Sequence, residues 1–526
     1  MMRLRIFRNL ALAACVLLLT NGVALAKEYQ LTILHTNDHH GHFQKFAPYP
    51  VQDVGGLAAQ STLVNVVRAE VEKAGGHVLL LSAGDVNTGV PESDLLDAEP
   101  DFKMMNMIGY DAMTLGNHEF DNPREVLQKQ KGWASFPFLS ANIVSKESGE
   151  LLVEPYTIKE IDGLKVAILG LTTEKVPTLV LPDNVKDLQF LNVIETARKY
   201  VPELKKQADL VIALTHIGYY KPESGKTGDV QLAEAVPGID VIVGGHTHTT
   251  LDEPVVVGTT LIVQADGYSE KVGRLNLTVD SEKDQLVAHS YELMPVNGKK
   301  RVKYNGKKYY SYVGTGFVED QEILEAMKPY LEGADKLLNK PVGTATTELV
   351  GGKSISRSQE TNLGNLITDS MRAKTGADIA MQNGGGIRAG IAPGTITYRD
   401  VLTVQPFGNT LVELQLTGAQ VVEVLDLAAT QVESGGFLHL SGLTVTYNQQ
   451  AGKAEKVMVG KQPIDLEKTY KVVTNNFVAA GGDGYKMLKP LAKYDTGYVD
   501  AEATMEFIQN RNQVDPKVEG RITIVK

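Results

Sequence analysis

The chain has 526 residues, which is too long for one ordinary hydrophobic core, so at least two large domains are expected. Its composition, 43% hydrophobic and 22% charged, is typical of globular proteins that fold in water. The net charge of -11 repels phosphate backbones, which argues against sequence-independent binding of DNA or RNA. Small phosphorylated ligands remain possible.

The N-terminus has the features of a secretory signal peptide. Three arginines lie in the first ten residues, an apolar run follows at 10–19, and Ala24-Leu25-Ala26 has the small-x-small spacing of a cleavage site. The apolar run is too short to span a bilayer, so stable membrane insertion is not expected. We expect residues 1–26 to be removed and the mature protein to be periplasmic and monomeric.

The only cysteine of the chain is Cys15, inside this segment. The sequence from Leu12 to Cys15 also resembles a lipobox, so a lipid anchor at Cys15 is the alternative to cleavage after Ala26. If the segment is removed, the mature protein has neither a thiol nor a disulfide, and its stability depends on packing and bound metal.

The first half of the chain alternates apolar, strand-like runs with polar helical stretches. Strands are predicted at Tyr29–His35, Val78–Ser82, Lys165–Leu171, Leu210–Leu214 and Val241–Val243, and a helix at Val193–Ala208. Each predicted strand ends at a cluster of Gly, Asp, His or Asn. This pattern is typical of an α/β layered domain with functional residues at the strand ends.

Farther along the chain, a stretch rich in Tyr and Lys covers Asn297–Tyr312. A helix is predicted at about Asp320–Asn339, closed by Pro341, and it would link two domains. A second strand and Gly-rich turn pattern begins near Val342, which predicts a separate C-terminal α/β domain.

Most histidines of the chain fall in short polar motifs at the ends of predicted strands. These motifs are Asn37-Asp38-His39-His40-Gly41-His42, Gly84-Asp85, Gly116-Asn117-His118-Glu119-Phe120-Asp121, His216 and Gly244-Gly245-His246-Thr247-His248. In extended chain, the period-2 spacing of Asp38 and His40 would point both side chains the same way. Each motif alone is weak, but together, in this order, they predict a site for divalent metal ions.

These motifs resemble the blocks of the calcineurin-like metallophosphoesterases, and the chain is most similar to the bacterial periplasmic UDP-sugar hydrolase/5′-nucleotidase members of the 5′-nucleotidase family. The resemblance covers essentially the whole mature chain. It implies an N-terminal four-layer α/β metallophosphoesterase domain at 27–319, a linker helix at 320–341 and a C-terminal α/β substrate-binding domain at 342–526. It also implies a hinge near the linker helix that opens and closes the site.

The family pattern implies two divalent ions, Zn, Mn or Co, and a hydroxide between them that attacks phosphorus. One ion would be held by Asp38, His40 and His248, and the other by Asn117, His216 and His246, with Asp85 bridging them. His118 would stabilise the transition state or protonate the leaving group, and Asp121 would orient His118. His248 departs from the family, in which this position can be glutamine, so the metal preference stays open.

The C-terminal half contains the residue types that nucleotide recognition needs: arginines for phosphate, glycines for close approach, aromatic rings for the base and a carboxylate for ribose. By the family resemblance, Arg357 and Arg388 would bind phosphate, Phe407 and Phe477 the base, and Asp483 the ribose. Asn383 and Asn409 would contact the base or the sugar.

The function implied is hydrolysis of nucleoside 5′-phosphates, with UDP-sugar pyrophosphate cleavage as a second activity. The alternatives are a 2′,3′-cyclic-nucleotide phosphodiesterase with 3′-nucleotidase activity and a thiosulfate-ester hydrolase of the same fold. The paired Phe407 and Phe477 argue against the latter, since a sulfate ester has no base to stack. A non-catalytic periplasmic nucleotide-binding protein is the alternative outside enzymes, and it would need neither His118 nor Asp121.

Overall fold

The computed structural model describes residues 28–46, 53–280, 285–304 and 307–526. The predicted signal peptide at 1–26, which contains Cys15, lies outside the described residues. Within the described ranges, no helix combines the length and the apolar character that crossing a membrane requires.

Two six-stranded sheets lie face to face in the N-terminal half. In the first sheet the strand order is Gln285–Pro295, Lys271–Asp280, Glu28–Thr36, His77–Ser82, Ala112–Thr114 and Phe138–Leu139. In the second it is Val255–Val257, Thr260–Val263, Val241–Val243, Leu210–His216, Leu164–Thr172 and Tyr156–Ile161. Leu31 and Ile33 of the first sheet share one buried cluster with Val166 and Ile212 of the second, so a continuous apolar layer joins the sheets.

Helices cover the outer face of each sheet. The first sheet is covered by Leu57–Lys73 and Glu99–Ile108, and the second by Val193–Leu204 and Asp229–Ala235. This helix–sheet–sheet–helix order confirms the predicted four-layer α/β fold. The predicted strands all form, whereas the helix predicted at Val193–Ala208 ends at Leu204. The remaining α-helices of this half are Pro91–Asp94 and Arg124–Trp133, and the small strands Ile143–Ser145 and Leu188–Phe190 pair with each other.

The central strands of both sheets run parallel. Glu28–Thr36 pairs in parallel with His77–Ser82, and Leu210–His216 pairs in parallel with both Leu164–Thr172 and Val241–Val243. The carboxyl ends of parallel strands meet at one edge of a sheet, so the loops that carry the polar motifs are brought to the same edge.

A hairpin and a helix follow the second sheet. Lys299–Tyr304 pairs in antiparallel fashion with Lys307–Tyr312, so the Tyr- and Lys-rich stretch forms a two-stranded ribbon. The predicted linker helix covers Gln321–Leu338, and the Asp320 side chain caps its N-terminus by accepting from the backbone N–H of Glu322. The predicted domain boundaries themselves stay predictions.

The C-terminal half is built around a five-stranded sheet. Its order is Leu438–Ser441, Ile379–Asn383, Thr469–Asn475, Thr410–Thr417 and Lys493–Val499. Helices Asn362–Thr375, Tyr398–Val404 and Asp500–Arg511 pack on one face, and Gly418–Thr430 on the other, so this half is α/β as predicted. Smaller sheets are formed by Gln462–Pro463, Lys453–Val459, Leu443–Asn448 and Ile522–Val525, and by Gly394–Thr397, Pro341–Ala345 and Gln513–Val514; Asn476–Ala479 is a short helix.

Candidate active site

The polar motifs of the N-terminal half converge on one cluster of carboxylates and imidazoles. Three overlapping groups have ligand atoms within 4.8 Å of one another: Asp38 with His40 and His248, His40 with Asp85 and His118, and Asp85 with His216 and His246. Residues from five separate strand ends are therefore brought together, as the order of the motifs predicted.

Each of the two aspartates of the cluster lies close to a histidine. His216 Nε2 lies 3.0 Å from Asp85 Oδ2, and His248 Nε2 lies 3.2 Å from Asp38 Oδ1. His40 Nε2 and His248 Nε2 face each other at 3.1 Å. Two imidazole nitrogens this close, both beside a carboxylate, make an arrangement that a shared cation would stabilise.

Asn117 completes the cluster with an amide oxygen. The residue is buried, and its Oδ1 atom has no hydrogen-bond partner among the described residues. A buried acceptor without a partner is costly, because it has lost its water and gained nothing in return. A metal ion at this position would satisfy the orphaned oxygen.

Asp38 and His40 reach the cluster in a way that differs from the extended chain expected from their spacing. Both residues have φ 51°, in the left-handed region. Their backbone N–H groups donate to the carbonyl oxygens of Gly84 and Asp85, each at 2.9 Å, and these bonds hold the turn against the neighbouring loop. The two side chains still come close, with His40 Nε2 at 3.9 Å from Asp38 Oδ1. The predicted proximity of Asp38 and His40 is therefore confirmed, whereas the extended backbone expected for them is wrong.

Five of the seven predicted metal ligands have a positive φ. Besides Asp38 and His40, the residues Asp85, His246 and His248 have φ values of 54°, 82° and 51°. Non-glycine residues seldom adopt this conformation, and where they do the strain often marks a functional site. The loops that carry these ligands thus adopt backbone conformations that isolated Asp and His residues seldom adopt.

The electrostatics of the cluster favour a positive charge. Burial opposes ionisation of Asp38, but His248 and His216 outweigh it and lower the pKa of Asp38 below its usual value. Burial also lowers the pKa of His216, yet the charge of Asp85 and its hydrogen bond raise that pKa to about 10. The carboxylates therefore stay ionised and attract a cation.

His118 lies at the edge of the cluster beside Asp121. Its Nδ1 atom is 2.5 Å from Asp121 Oδ2, and its Nε2 atom is 3.9 Å from Asp85 Oδ2. Although burial alone lowers the pKa of His118, the charges of Asp121 and Asp85 outweigh it and raise the pKa above its ordinary value. Asp121 thus occupies one ring nitrogen of His118 and favours the protonated form of the imidazole.

Glu119 has a role that the sequence did not indicate, although it lies between His118 and Asp121 in one of the polar motifs. Its carboxylate accepts backbone N–H groups from Asp85 at 3.0 Å, Val86 at 2.8 Å and Gly116 at 2.7 Å. A Cβ at Gly116 would lie 2.2 Å from Asp85 Oδ1, so the two loops approach as closely as glycine allows. Glu119 therefore joins the loop of Asp85 to the loop of Asn117 by hydrogen bonds.

One cavity of about 430 Å³ connects this cluster to the C-terminal half. All the residues predicted to bind substrate line it: Arg357, Asn383, Arg388, Phe407, Asn409, Phe477 and Asp483. The cluster contributes His118, Asp121, Asp85, Asn117, His246 and His248. Asp38, His40 and His216 are buried behind this lining. The volume falls within the range of roughly 300–1,000 Å³ that is usual for small-molecule sites.

Contacts within the cavity join the two halves of the chain. The rings of His118 and Phe407 are stacked with their centroids 6.0 Å apart. The guanidinium of Arg388 lies 5.6 Å from the centroid of the Phe407 ring. Elsewhere in the cavity lining, the Asn383 amide donates to Asp483 Oδ2 at 2.7 Å. Burial raises the pKa of Asp483 above its usual value, although the hydrogen bond from Asn383 opposes this.

Cations concentrate on the wall that faces the cluster. Burial and the charge of Arg388 lower the pKa of Arg357 to about 10, so the Arg357 guanidinium remains charged at neutral pH. Lys353 lines the same cavity, and burial lowers its pKa to about 8. Sequence reasoning missed Lys353, and its only signal was its position four residues before Arg357. Three cations that converge in one cavity repel one another unless an anion lies between them.

Comparison with known proteins agrees with this geometry. Residues 31–250 match the family of calcineurin-like phosphoesterases, and residues 341–490 match the C-terminal domain of 5′-nucleotidases. The chain is 42% identical over 534 residues to a 5′-nucleotidase of Vibrio vulnificus, covering 96% of this chain and 94% of that protein. It is 39% identical over 521 residues to protein UshA of Escherichia coli, covering 94% and 93%.

Among solved structures, a 5′-nucleotidase precursor from Thermus thermophilus superposes with a TM-score of 0.82 at 34% identity, covering 94% of this chain and 99% of that one. The chain thus combines a calcineurin-like phosphoesterase domain with a nucleotidase domain, and it belongs to the 5′-nucleotidase family. It is an enzyme, a phosphoesterase that hydrolyses nucleotides, and it has Asp and His groups able to bind metal ions.

Proposed function

We propose that the protein hydrolyses nucleoside 5′-phosphates to nucleoside and phosphate and also cleaves UDP-sugars at the pyrophosphate. One observation carries the proposal: a single cavity is lined on one side by the Asp and His cluster and on the other by arginines, phenylalanines and a carboxylate. His118 stacks on Phe407, so the residue proposed to act at the phosphate lies next to a residue proposed to bind the base. One mononucleotide could therefore contact both.

The cluster fits divalent metal ions, because imidazole nitrogens with carboxylate and amide oxygens suit Zn, Mn or Co. Asp38, His40 and His248 would hold one ion, Asn117, His216 and His246 would hold a second, and Asp85 would contribute to both. When bound, such ions supply Lewis-acid stabilisation of the phosphoryl group and a nucleophile at neutral pH. The unpartnered oxygen of Asn117 supports this assignment.

His118 is the proposed general acid. Its Nδ1–H donates to Asp121, which leaves the proton at Nε2 directed to the cavity side of the ring, near Asp85. That proton would pass to the ribose O5′ as the bond from phosphorus to oxygen breaks. Asp121 fixes the ring and stabilises its charge, and Thr88 Oγ1 donates to the same Asp121 oxygen at 2.7 Å.

Arg357, Arg388 and Lys353 are proposed to hold the phosphate. Guanidinium groups donate pairs of hydrogen bonds to phosphoryl oxygens, and their charge offsets that of the substrate. Phe407 and Phe477 are both partly exposed and line the same cavity, so they can stack on a nucleobase.

The ribose and the base edge would meet polar groups. Asp483 is proposed to accept from ribose hydroxyls, with Asn383 holding its carboxylate by the bond described above. Asn409, which lines the same cavity, would contact the base or the sugar. These groups account for a preference for nucleotides over simple phosphate esters.

A panel of substrates tests the proposal. AMP, UMP, UDP-glucose, ATP and 2′,3′-cyclic AMP would be incubated with metal-loaded protein and the products separated by chromatography. We expect adenosine and uridine from the monophosphates, and UMP followed by uridine from UDP-glucose. A 2′,3′-cyclic-nucleotide phosphodiesterase would share the metal cluster, and preferential opening of cyclic AMP would identify it in place of a 5′-nucleotidase.

The proposal includes export and a mobile domain arrangement. Cleavage after Ala26 would leave Lys27 as the first residue of a periplasmic, monomeric protein, and N-terminal sequencing of protein from the periplasmic fraction tests this.

Arg399 lies where the two halves meet the linker helix, since it pairs with Glu92 and lies 2.7 Å from Asp335. We expect a hinge near the Gln321–Leu338 helix to open and close the cavity between substrate binding and product release.

A further inference from the structure

The hairpin formed by Lys299–Tyr304 and Lys307–Tyr312 has a composition unlike the rest of the chain. Residues 297–316 contain five lysines, one arginine and four tyrosines, and no aspartate or glutamate. The whole chain, in contrast, carries a net charge of -11. We call this ribbon the basic hairpin. Nothing in the proposed hydrolysis uses it.

The pairing of the two strands places cations opposite aromatic rings. Lys299 pairs with Tyr312 and Arg301 with Tyr310, while Val302 pairs with Tyr309. Alternate residues of a strand point to opposite faces, so the first two pairs share one face and the third lies on the other. Tyr309, Tyr310 and Tyr312 are exposed by 47%, 43% and 46%. Rings and cations therefore alternate on a surface open to solvent.

Three cations of the hairpin are open to solvent and are not paired with carboxylates of the part of the chain that the structure describes. Within the described residues, Lys300, Arg301 and Lys303 are exposed and no carboxylate lies at ion-pair distance from them. Lys299 differs, because it lies 3.8 Å from Asp53. The base of the hairpin is fixed by Asn297, whose amide donates to the Phe317 carbonyl at 2.9 Å. The ribbon is anchored at its base and presents a basic surface.

We propose that the basic hairpin binds single-stranded nucleic acid. Proteins that bind single strands combine cations, which contact phosphates, with exposed aromatic rings, on which bases of any sequence stack. The hairpin offers both in alternation. An anionic membrane is a poorer match, because residues 297–316 include no Trp, Leu or Ile that could enter the acyl region.

The net charge of the whole chain does not prevent this binding. Charges in solution are screened beyond about 8–10 Å at physiological ionic strength, so the cations in direct contact dominate the interaction.

Binding to single strands would also place the enzyme in a reaction sequence. Nuclease reactions that leave mononucleotides with 5′-phosphates produce the substrate, and a protein held on the polymer meets each nucleotide as it is released.

Fluorescence anisotropy with a labelled oligo-dT that lacks a 5′-phosphate tests the proposal on the full protein at low salt. The triple variant Lys300→Glu, Arg301→Glu, Lys303→Glu is expected to bind at least about tenfold more weakly and to lose most of the salt dependence, since each single-strand phosphate contact contributes a slope of about -0.7. The control Lys73→Glu, Lys131→Glu, Lys461→Glu changes the net charge equally at exposed lysines elsewhere. It is expected to keep most of the affinity.

A second pair of measurements separates nucleic acid from other polyanions. Tyr309→Thr with Tyr310→Thr removes two rings and keeps residues that favour strands. It should weaken oligo-dT binding several-fold and leave binding of inorganic polyphosphate unchanged. AMP hydrolysis, measured for every variant, should stay at the wild-type rate and so report that the chain is folded.

Several results would overturn the proposal. These are no binding of oligo-dT at low salt, equal losses in the hairpin and control triple variants, or an unchanged affinity in the tyrosine variant. Binding to phosphatidylglycerol vesicles that is tighter than binding to oligo-dT, and that depends on Lys300, Arg301 and Lys303, would identify the hairpin as a membrane contact instead.

Discussion

His118 Nδ1 lies 2.5 Å from Asp121 Oδ2, and this pair stands where the metal cluster meets the substrate cavity. The bond fixes the ring so that its other nitrogen, Nε2, is on the side of Asp85. Asp121 also helps to raise the pKa of His118 against the opposing effect of burial. An imidazole that is oriented in this way, and whose protonated form is favoured, is suited to give a proton to a leaving oxygen.

Replacing His118 should therefore separate chemistry from metal binding. His118→Asn is expected to lower kcat for AMP by about 10²–10⁴-fold, the usual contribution of a general acid. Metal content, measured by elemental analysis, should stay at the wild-type level, because the proposed ligands are untouched. A variant that loses its metal would show that His118 is a ligand and that its role is misassigned.

Glu119 should control metal affinity without contacting metal. Its carboxylate accepts four backbone N–H groups from the loops of Asp85 and Gly116, and Glu119→Gln replaces one acceptor oxygen by a donor. We expect metal affinity to fall by about 10–100-fold, as for other groups that orient ligands from behind. The exposed Glu125, on the Arg124–Trp133 helix, gives the control Glu125→Gln. Unchanged metal affinity in Glu119→Gln would mean that the two loops keep their positions without the Glu119 carboxylate.

The phenylalanines should matter for nucleotides and not for small esters. Phe407→Ala and Phe477→Ala each remove a ring that contributes about 1–3 kcal/mol of stacking on a base. KM for AMP should rise about tenfold or more, whereas KM for p-nitrophenyl phosphate should change little. Equal losses on both substrates would indicate that the rings support the fold of the cavity and do not contact the base.

Movement of the two halves can be tested by cross-linking at their junction. Glu92→Cys with Arg399→Cys replaces the ion pair between the halves, and a cleavable thiol cross-linker would hold them together. The mature protein is expected to have no other cysteine, so labelling is specific. We expect turnover to fall on cross-linking and to return on cleavage, because product release needs the cavity to open. The single-cysteine variants serve as controls, and unchanged turnover in the cross-linked protein would remove the hinge from the account.

The sequence predicted the architecture well because the N-terminal strands are short apolar runs, each followed by a polar motif. It could not predict the turn at Asp38 and His40, since the left-handed conformation is imposed by hydrogen bonds to Gly84 and Asp85, which are distant in sequence. For the same reason the sequence did not indicate a role for Glu119: its four backbone partners belong to loops brought together only by the fold.

Lys353 was missed for a different reason. A single lysine in a glycine-rich stretch carries no signal of its own, and its importance arises from burial beside Arg357 and Arg388 in the cavity. Burial depends on packing between distant segments, which the local sequence pattern does not report.

Metal ions held around Asp85 are proposed to be essential for nucleotide hydrolysis, and phosphate release from AMP after metal removal tests this most directly. Protein would be chelated until elemental analysis finds no metal, assayed, and reloaded with Mn, Co or Zn. Asp85→Asn, in which the proposed bridging carboxylate is lost, is the matched variant. We predict that activity disappears on chelation, returns on reloading in the wild type, and does not return in Asp85→Asn. Full activity in protein shown to be free of metal would contradict the account.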